Sequence, residues 1–265
     1  MTTRRYASPR SSGGCSIGSS AQRAEEEACR GVSASVRCGA ALQQGRRRVG
    51  QGKPGQLLVL SSNARFNCSA LLRHGIHEHG LSDCLSPDGY VPLARVLALR
   101  CFAGVLVTQV QEVVKANDKQ RFRLKRSSDD CGFLIRANQG HSLGEGLDDD
   151  ALLEKMVVAQ GVRILAVHGT YYTAWPAIRS EGLKRMQRRH IHLAEGLDAT
   201  SGLRRSCELA IWVDVTAAAA DGVIFYRSAN GVILTSGEGG DGVLPPRYFA
   251  CAVDQATGEE LPLRP

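Results

Sequence analysis

The sequence predicts an α+β chain of two lobes, and three observations point there. Helical spacing of apolar residues runs through residues 62–117, a pair of strand-like runs closes that stretch, and strand-like runs predominate from residue 161 onward. Strands and helices do not alternate in the second half, so a doubly wound sheet is not expected.

Residues 1–61 are rich in Gly, Ser, Ala and Arg with no sustained hydrophobic period, the composition of a disordered basic extension. A helix is expected from Ser62 to about His74, with Phe66, Ala70 and Leu71 near one face. Pro87-Asp88-Gly89 makes a turn before a short strand at Tyr90-Val91. Pro92, at a first helical position, opens a helix through Leu93, Val96, Leu97 and Leu99. A further helix over Thr108–Asn117 places Val110, Val113 and Val114 on one side. Runs at Arg121–Lys125 and Gly132–Ala137 pair around the polar turn Ser127-Ser128-Asp129-Asp130. Helices followed by a two-stranded ribbon are the element order of a winged-helix module, which makes residues 62–145 a nucleic-acid-facing lobe.

Residues 146–160 read as a linker, in which Asp148-Asp149-Asp150 favours the start of a short helix through Leu152, Leu153 and Met156. Strands at Arg163–His168, Leu209–Val215, Val223–Tyr226, Val232–Thr235 and Arg247–Val253 fill a second lobe over residues 161–257. One helix, Tyr172–Glu181, interrupts them and stops at Gly182. Asn230-Gly231 between two apolar runs is a strong hairpin signal. Residues 258–265 form a tail.

Charge is unevenly placed. Ten of the 33 Lys and Arg but only three of the 26 Asp and Glu fall within residues 1–60, leaving 23 of each sign elsewhere. Nucleic-acid binding by the folded part must therefore rest on local arginine clusters. The nine cysteines are scattered, form no C-x-x-C pair and follow no apolar leader, which predicts a reducing intracellular setting, nucleus and cytoplasm not distinguished. No apolar run is long enough to cross a membrane, and a monomer is expected.

Chemistry concentrates in four polar segments. Ile135 to Ser142 packs an arginine, two amides, a histidine and a hydroxyl around Gly140. Leu72-Arg73-His74-Gly75, Val167-His168-Gly169-Thr170-Tyr171 and Ser201-Gly202-Leu203-Arg204 have the same character, with no carboxylate. Each has a bland alternative: cations at a helix C-terminus, a polar loop, a solvated strand edge, aromatic core. Together they suit a phosphate-rich substrate. His74, His77 and His79 lack a carboxylate or cysteine at ligand spacing, so no metal is expected. Gly237 to Gly242 matches G-x-G-x-x-G, but Pro245-Pro246 forbids the helix that would hold a pyrophosphate.

From about Ser69 to Phe249 these segments resemble the RNA 2′-phosphotransferases, which remove the splice-junction 2′-phosphate from tRNA. Leu72 to Gly75, Asp88-Gly89-Tyr90-Val91, Lys119-Gln120-Arg121-Phe122, Ile135 to Ser142 and Val167 to Thr170 carry the likeness. So do His190-Ile191-His192-Leu193-Ala194, Ser201 to Arg204 and Ser228 to Thr235. The pattern departs at Ala64, Arg65, Phe66 and Cys68, where the family reads Leu, Ser, Lys and Leu. The resemblance implies an RNA lobe of winged-helix type followed by an ADP-ribosyltransferase-like lobe that binds NAD as co-substrate. It also implies two steps: the RNA 2′-phosphate displaces nicotinamide from the ribose, and the ribose 2″-hydroxyl then takes the phosphorus. The products are 2′-hydroxyl RNA and ADP-ribose 1″,2″-cyclic phosphate.

By motif position the catalytic set implied is Arg73, His74, Arg136 and Arg204, with His74 moving a proton. His168, Gly169, Thr170, Tyr171, His192, Asn230 and Gly231 would line the NAD pocket. Lys119, Arg121, Asn138, Gln139, His141 and Ser142 would meet the 2′-phosphorylated tRNA or RNA. Two other functions stay open: an RNA- or protein-directed ADP-ribosyltransferase on the same scaffold, and a winged-helix nucleic-acid-binding protein with an inactive NAD lobe.

Overall fold

The computed structural model describes residues 68–263, apart from 130, 131, 143–145, 160, 200, 202 and 205. The expected extension and the first turns of the helix expected from Ser62 lie outside the described residues. From Cys68 that helix is present, and it widens to a π-helical turn at Leu71–Gly75. Leu71 and Leu72 are buried there and share a core with Val91, Leu93, Val96, Phe102, Val110 and Ile135. Two α-helices complete the cover: α1 (Leu93–Leu97), entered through the extended backbone of Pro92, and α2 (Val107–Lys115). Gln109 starts α2, its side chain accepting from the Leu106 amide at 2.9 Å.

The expected ribbon is β2 (Phe122–Arg126) paired antiparallel with β3 (Phe133–Ala137), after a short β1 (Val91–Pro92). β1 joins β3 on its other side, giving the order β1-β3-β2 with Val91 opposite Ile135.

A second sheet of eight strands follows. It contains β4 (Glu154–Lys155), β5 (Leu165–Thr170), β7 (Ile191–Ala194), β8 (Leu209–Asp214), β9 (Tyr226–Arg227), β10 (Val232–Thr235), β12 (Phe249–Asp254) and β13 (Glu260–Leu261). Their order is β13-β12-β8-β5-β7-β10-β9-β4, and every pairing is antiparallel. β6 (Leu183–Lys184) and β11 (Val243–Leu244) form a separate two-stranded pair. Alternation on β8 sends Leu209, Ile211 and Val213 into the main core and Ala210 and Trp212 to the opposite face. The Asn-Gly signal holds: Gly231 takes φ +76° in the turn joining β9 to β10.

Several expectations differ from the structure, among them the strand expected over Val223–Tyr226, which is present only as β9 (Tyr226–Arg227). Residues 146–160 include α3 (Asp149–Leu152), capped by the Asp148 side chain, and β4; Leu152 and Leu153 are buried against Val232 and Leu234, so this stretch belongs to the second sheet's core. The tail likewise supplies β13, paired with β12. The helix expected over Tyr172–Glu181 is shorter, α4 (Trp175–Glu181), and a helix not expected, α5 (Val215–Ala220), follows β8 with the Asp214 carboxylate accepting from the Ala217 amide. No described helix is long and apolar enough to cross a membrane.

Candidate active site

The π-helical turn buries Leu71 and Leu72 and directs Arg73 and His74 the other way. The Arg73 carbonyl accepts from the Ser142 amide at 3.0 Å, and the Arg73 side chain lies on Gly140. A Cβ at Gly140 would meet Arg73 Nε at 3.4 Å, and φ there is +87°, so the position favours glycine on both counts. Arg73 Nη1 donates to Ser69 Oγ at 3.3 Å, while Nε and Nη2 are buried without a partner among the described residues. Burial, then the guanidiniums of Arg121 and Arg188, lower its pKa to about 10. His74 Nδ1 is 2.7 Å from Ser142 Oγ. Burial and the charges of Arg73 and Arg188 hold the imidazole below its ordinary pKa.

Arg188 belongs to the turn before β7, where it bridges Ser142. Its neighbours are tied down by one carboxylate: Asp149 Oδ1 is 3.0 Å from Arg189 Nη2, and Oδ2 is 3.0 Å from His190 Nε2. Burial alone would raise the Asp149 pKa, yet these hydrogen bonds and charges bring it below the usual carboxylate range. The Arg189 amide donates to the His141 carbonyl at 3.0 Å, fixing the turn against the Gln139–Ser142 loop. Burial and nearby Arg204 lower the pKa of Arg188.

His168 on β5 and His192 on β7 stand on adjacent strands, and His168 Nδ1 donates to the His192 carbonyl at 3.0 Å. That bond commits the Nδ1 proton. Burial lowers the pKa of His168, the bond to His192 opposes this, and Arg204 and Arg188 lower it further. His192 Nε2 is buried without a partner among the described residues, and burial with Arg188 nearby brings its pKa to about 3. Gly169 makes room for its neighbours, because a Cβ there would sit 2.7 Å from Leu203 Cδ2 and 3.0 Å from Cys207 Sγ. Thr170 is buried and accepts from Glu208 through its carbonyl, and Tyr171 Oη meets Ser206 Oγ at 2.9 Å.

The structure thus gathers Arg73, His74, Ser142, His168 and His192, with Arg204 exposed on the side of Arg188. Arg136 is tethered by its own contacts. Its Nη1 donates to the Asp88 carbonyl at 2.8 Å and its guanidinium lies 4.9 Å from the Tyr90 ring centre, a cation–π contact that holds it beside β1. Arg136 Nε is buried without a partner among the described residues, and Arg136 and Arg73 both lower the pKa of His141, while Arg121 is the cation of the ribbon that lowers the pKa of Arg73. His141 is buried, its pKa lowered to about 3 by burial and by Arg73, Arg189, His190 and Arg136. Gln139 is half-buried in the same loop. Asn138 and Asn230 turn inward: Asn138 Nδ2 donates to the Gln120 carbonyl at 2.6 Å, and Asn230 Nδ2 to the Lys119 carbonyl at 2.9 Å. Arg205 and Gly202 lie outside the described residues.

Sequence reasoning missed Arg188 and Asp149. An arginine doublet directly before the alternating His190-Ile191-His192-Leu193 run was a usable signal, since a basic turn feeding a half-polar strand can deliver a cation to that strand's polar face. Nothing in the sequence marks Asp149 among three adjacent aspartates. Among the described residues no group of three His, Cys, Asp or Glu side chains is placed to hold a metal.

A family model described as RNA 2′-phosphotransferase, Tpt1 / KptA family, matches residues 66–237. A Danio rerio protein named tRNA 2′-phosphotransferase 1 is 43% identical over 215 residues, spanning 79% of this chain and 92% of its own. The Homo sapiens protein of that name is 45% identical over 201 residues, 74% of each chain. A Rhizobium rhizogenes protein named probable RNA 2′-phosphotransferase is 36% identical over 172 residues, 63% of this chain and 84% of its own.

Proposed function

The chain belongs to the RNA 2′-phosphotransferase, Tpt1 / KptA family, and from that premise we propose that it removes the 2′-phosphate from ligated tRNA with NAD as co-substrate. One observation carries the reading: the buried Arg73 guanidinium keeps two unpartnered nitrogens, and Arg121 and Arg188, from two distant segments, lie close enough to lower its pKa, with Arg188 acting likewise on His74. Like charges held near one another disfavour the charged form, and an anion placed between them relieves this. Guanidiniums remain charged at any working pH and bind phosphate through paired N–H donors, and the two unpartnered nitrogens of Arg73 supply such a pair.

The residues present fit NAD. His192 Nε2 is an orphaned polar atom beside His168, and Arg188 and Arg204 offset a pyrophosphate's charge. Bound NAD supplies the ribose that accepts the phosphate as nicotinamide departs. Arg73, Arg121 and Arg188 hold the transferred phosphate and neutralise charge that builds on it. His74, neutral near pH 7 and oriented through Nδ1 by Ser142, moves the proton at Nε2. Arg204 assists from the nucleotide side. On this reading residues 68–142 are the RNA lobe of winged-helix type, the eight-stranded sheet is the ADP-ribosyltransferase-like lobe, and the protein acts as a monomer.

Incubation with a 2′-phosphorylated oligonucleotide and NAD tests this by mass spectrometry. Expected products are the 2′-hydroxyl oligonucleotide, nicotinamide and ADP-ribose 1″,2″-cyclic phosphate. ADP-ribose retained on the RNA would replace this reading with an ADP-ribosyltransferase. Binding of RNA that NAD leaves unchanged, with no product, would reduce the protein to a nucleic-acid-binding module.

A further inference from the structure

Gln120 has φ +43°, one of two non-glycine positions with positive φ among the described residues. L side chains avoid this conformation, and it persists where surrounding contacts over-determine it. Here they do. Three consecutive carbonyls are captured: Lys119 by Asn230 Nδ2 at 2.9 Å and Ser201 Oγ at 3.0 Å, Gln120 by Asn138 Nδ2 at 2.6 Å, and Arg121 by the Asn138 amide at 2.9 Å. The clamps are themselves fixed. Asn230 Nδ2 also meets Ser201 Oγ at 2.8 Å, and Ser228 Oγ donates to Asn230 Oδ1 at 2.8 Å. Asn138 and Asn230 are both buried.

Asn138 belongs to the loop after β3, whereas Ser201 and Asn230 come from loops of the eight-stranded sheet. Both sides therefore grip the residue pair that directly precedes Arg121. A tilt of one peptide plane there would swing a guanidinium by ångströms, and phosphate chemistry is sensitive to such displacements.

We propose that Asn138, Asn230 and Ser201 are positioning residues that lock the Lys119-Gln120 turn and so aim Arg121 at the RNA phosphate. The inference rests on the function proposed above. It also moves Asn138 and Asn230 from ligand contact to support.

The test uses the full chain, NAD, and matched oligonucleotides carrying a 2′-phosphate or a 2′-hydroxyl. Asn138→Ala removes one clamp, and Asn230→Asp turns a donor into an acceptor facing the Lys119 carbonyl. Each should lower kcat/KM for the 2′-phosphorylated RNA by about tenfold to a hundredfold, with the Kd for NAD within about twofold of wild type. In an Arg121→Gln background each should cost less than about twofold more, since a support acting through Arg121 has nothing left to aim. Gln120→Gly, which holds the left-handed turn without strain, should recover part of the Asn138→Ala loss. Should Asn230→Asp not fold, Asn138→Ala and its rescue decide the matter.

Full additivity with Arg121→Gln, a loss that follows only the thermal midpoint, or weaker NAD binding by Asn230→Asp would each overturn the proposal. If wild type ignores the 2′-phosphate, the function itself falls and the tie falls with it. If wild type discriminates and both variants match it, the tie alone is wrong.

Discussion

Arg121 and Arg136 both arise from the β2–β3 ribbon, yet their partners divide them: Arg136 is held by the Asp88 carbonyl and the Tyr90 ring, while the charge of Arg121 lowers the pKa of Arg73. Arg121→Ala should therefore cost about 10²–10³ in kcat, as for loss of a donor to developing charge. Arg136→Ala should cost far less in rate and show chiefly as stability, about 1–3 kcal/mol in denaturant unfolding. Equal losses of kcat for the two variants would refute that division. The same cluster sets a pH limit. Burial, Arg73 and Arg188 depress the His74 pKa, so the acidic limb of kcat/KM should lie below pH 6.5 and rise toward it in Arg188→Gln, which removes a neighbouring cation. An unmoved limb would remove His74 from proton transfer. At this scale the sequence revealed which segments are polar and cationic. It did not reveal which arginine turns inward, because that depends on a carbonyl and a ring contributed by the Asp88–Tyr90 turn.

Single glycines fix how elements meet. Gly182 ends α4 with φ +92°, and a Cβ there would run into the Leu244 carbonyl at the β6–β11 pair. Gly182→Ala should cost about 3 kcal/mol or more in unfolding experiments, since neither the backbone angle nor the carbonyl can yield cheaply. Gly169→Ala meets only the movable Leu203 side chain and Cys207 Sγ, so the expected cost is about 1–3 kcal/mol. Displacement of Leu203 shifts Arg204 with it, so the KM for NAD should rise more than kcat falls; an unchanged KM would show that Arg204 lies outside the nucleotide pocket. β10 and the Gly182 stop were legible because local chemistry dictates them. The Asp214 cap with its alanine run was also a readable helix start. β4 and β13 were not readable, since two-residue strands are defined by their partners and carry no period of their own.

Across the molecule, the loop bearing His141 and the strand bearing His192 close the space between the two sheets with imidazoles that stay neutral when folded. Their folded pKa values, about 3, lie below the unfolded value of 6.5, so the stability they contribute is complete above pH 6.5 and declines as pH falls toward 3. The slope is about 1.4 kcal/mol per pH unit for each histidine. Urea midpoints at pH 7 and pH 5 should differ accordingly, with a His141→Asn variant showing a shallower decline; parallel declines would refute the assignment. The strand-rich second sheet was legible from the change in periodicity near residue 161, whereas the joining of residues 146–160 to that sheet depends on burial of Leu152 and Leu153 and left no pattern in the sequence. The cations gathered on Arg73 have a consequence for handling the protein. Repulsion of Arg73 by Arg121 and Arg188 opposes the native state until a multivalent anion bridges them, so preparations in sulfate or pyrophosphate should outlast heating that precipitates the same preparations in chloride.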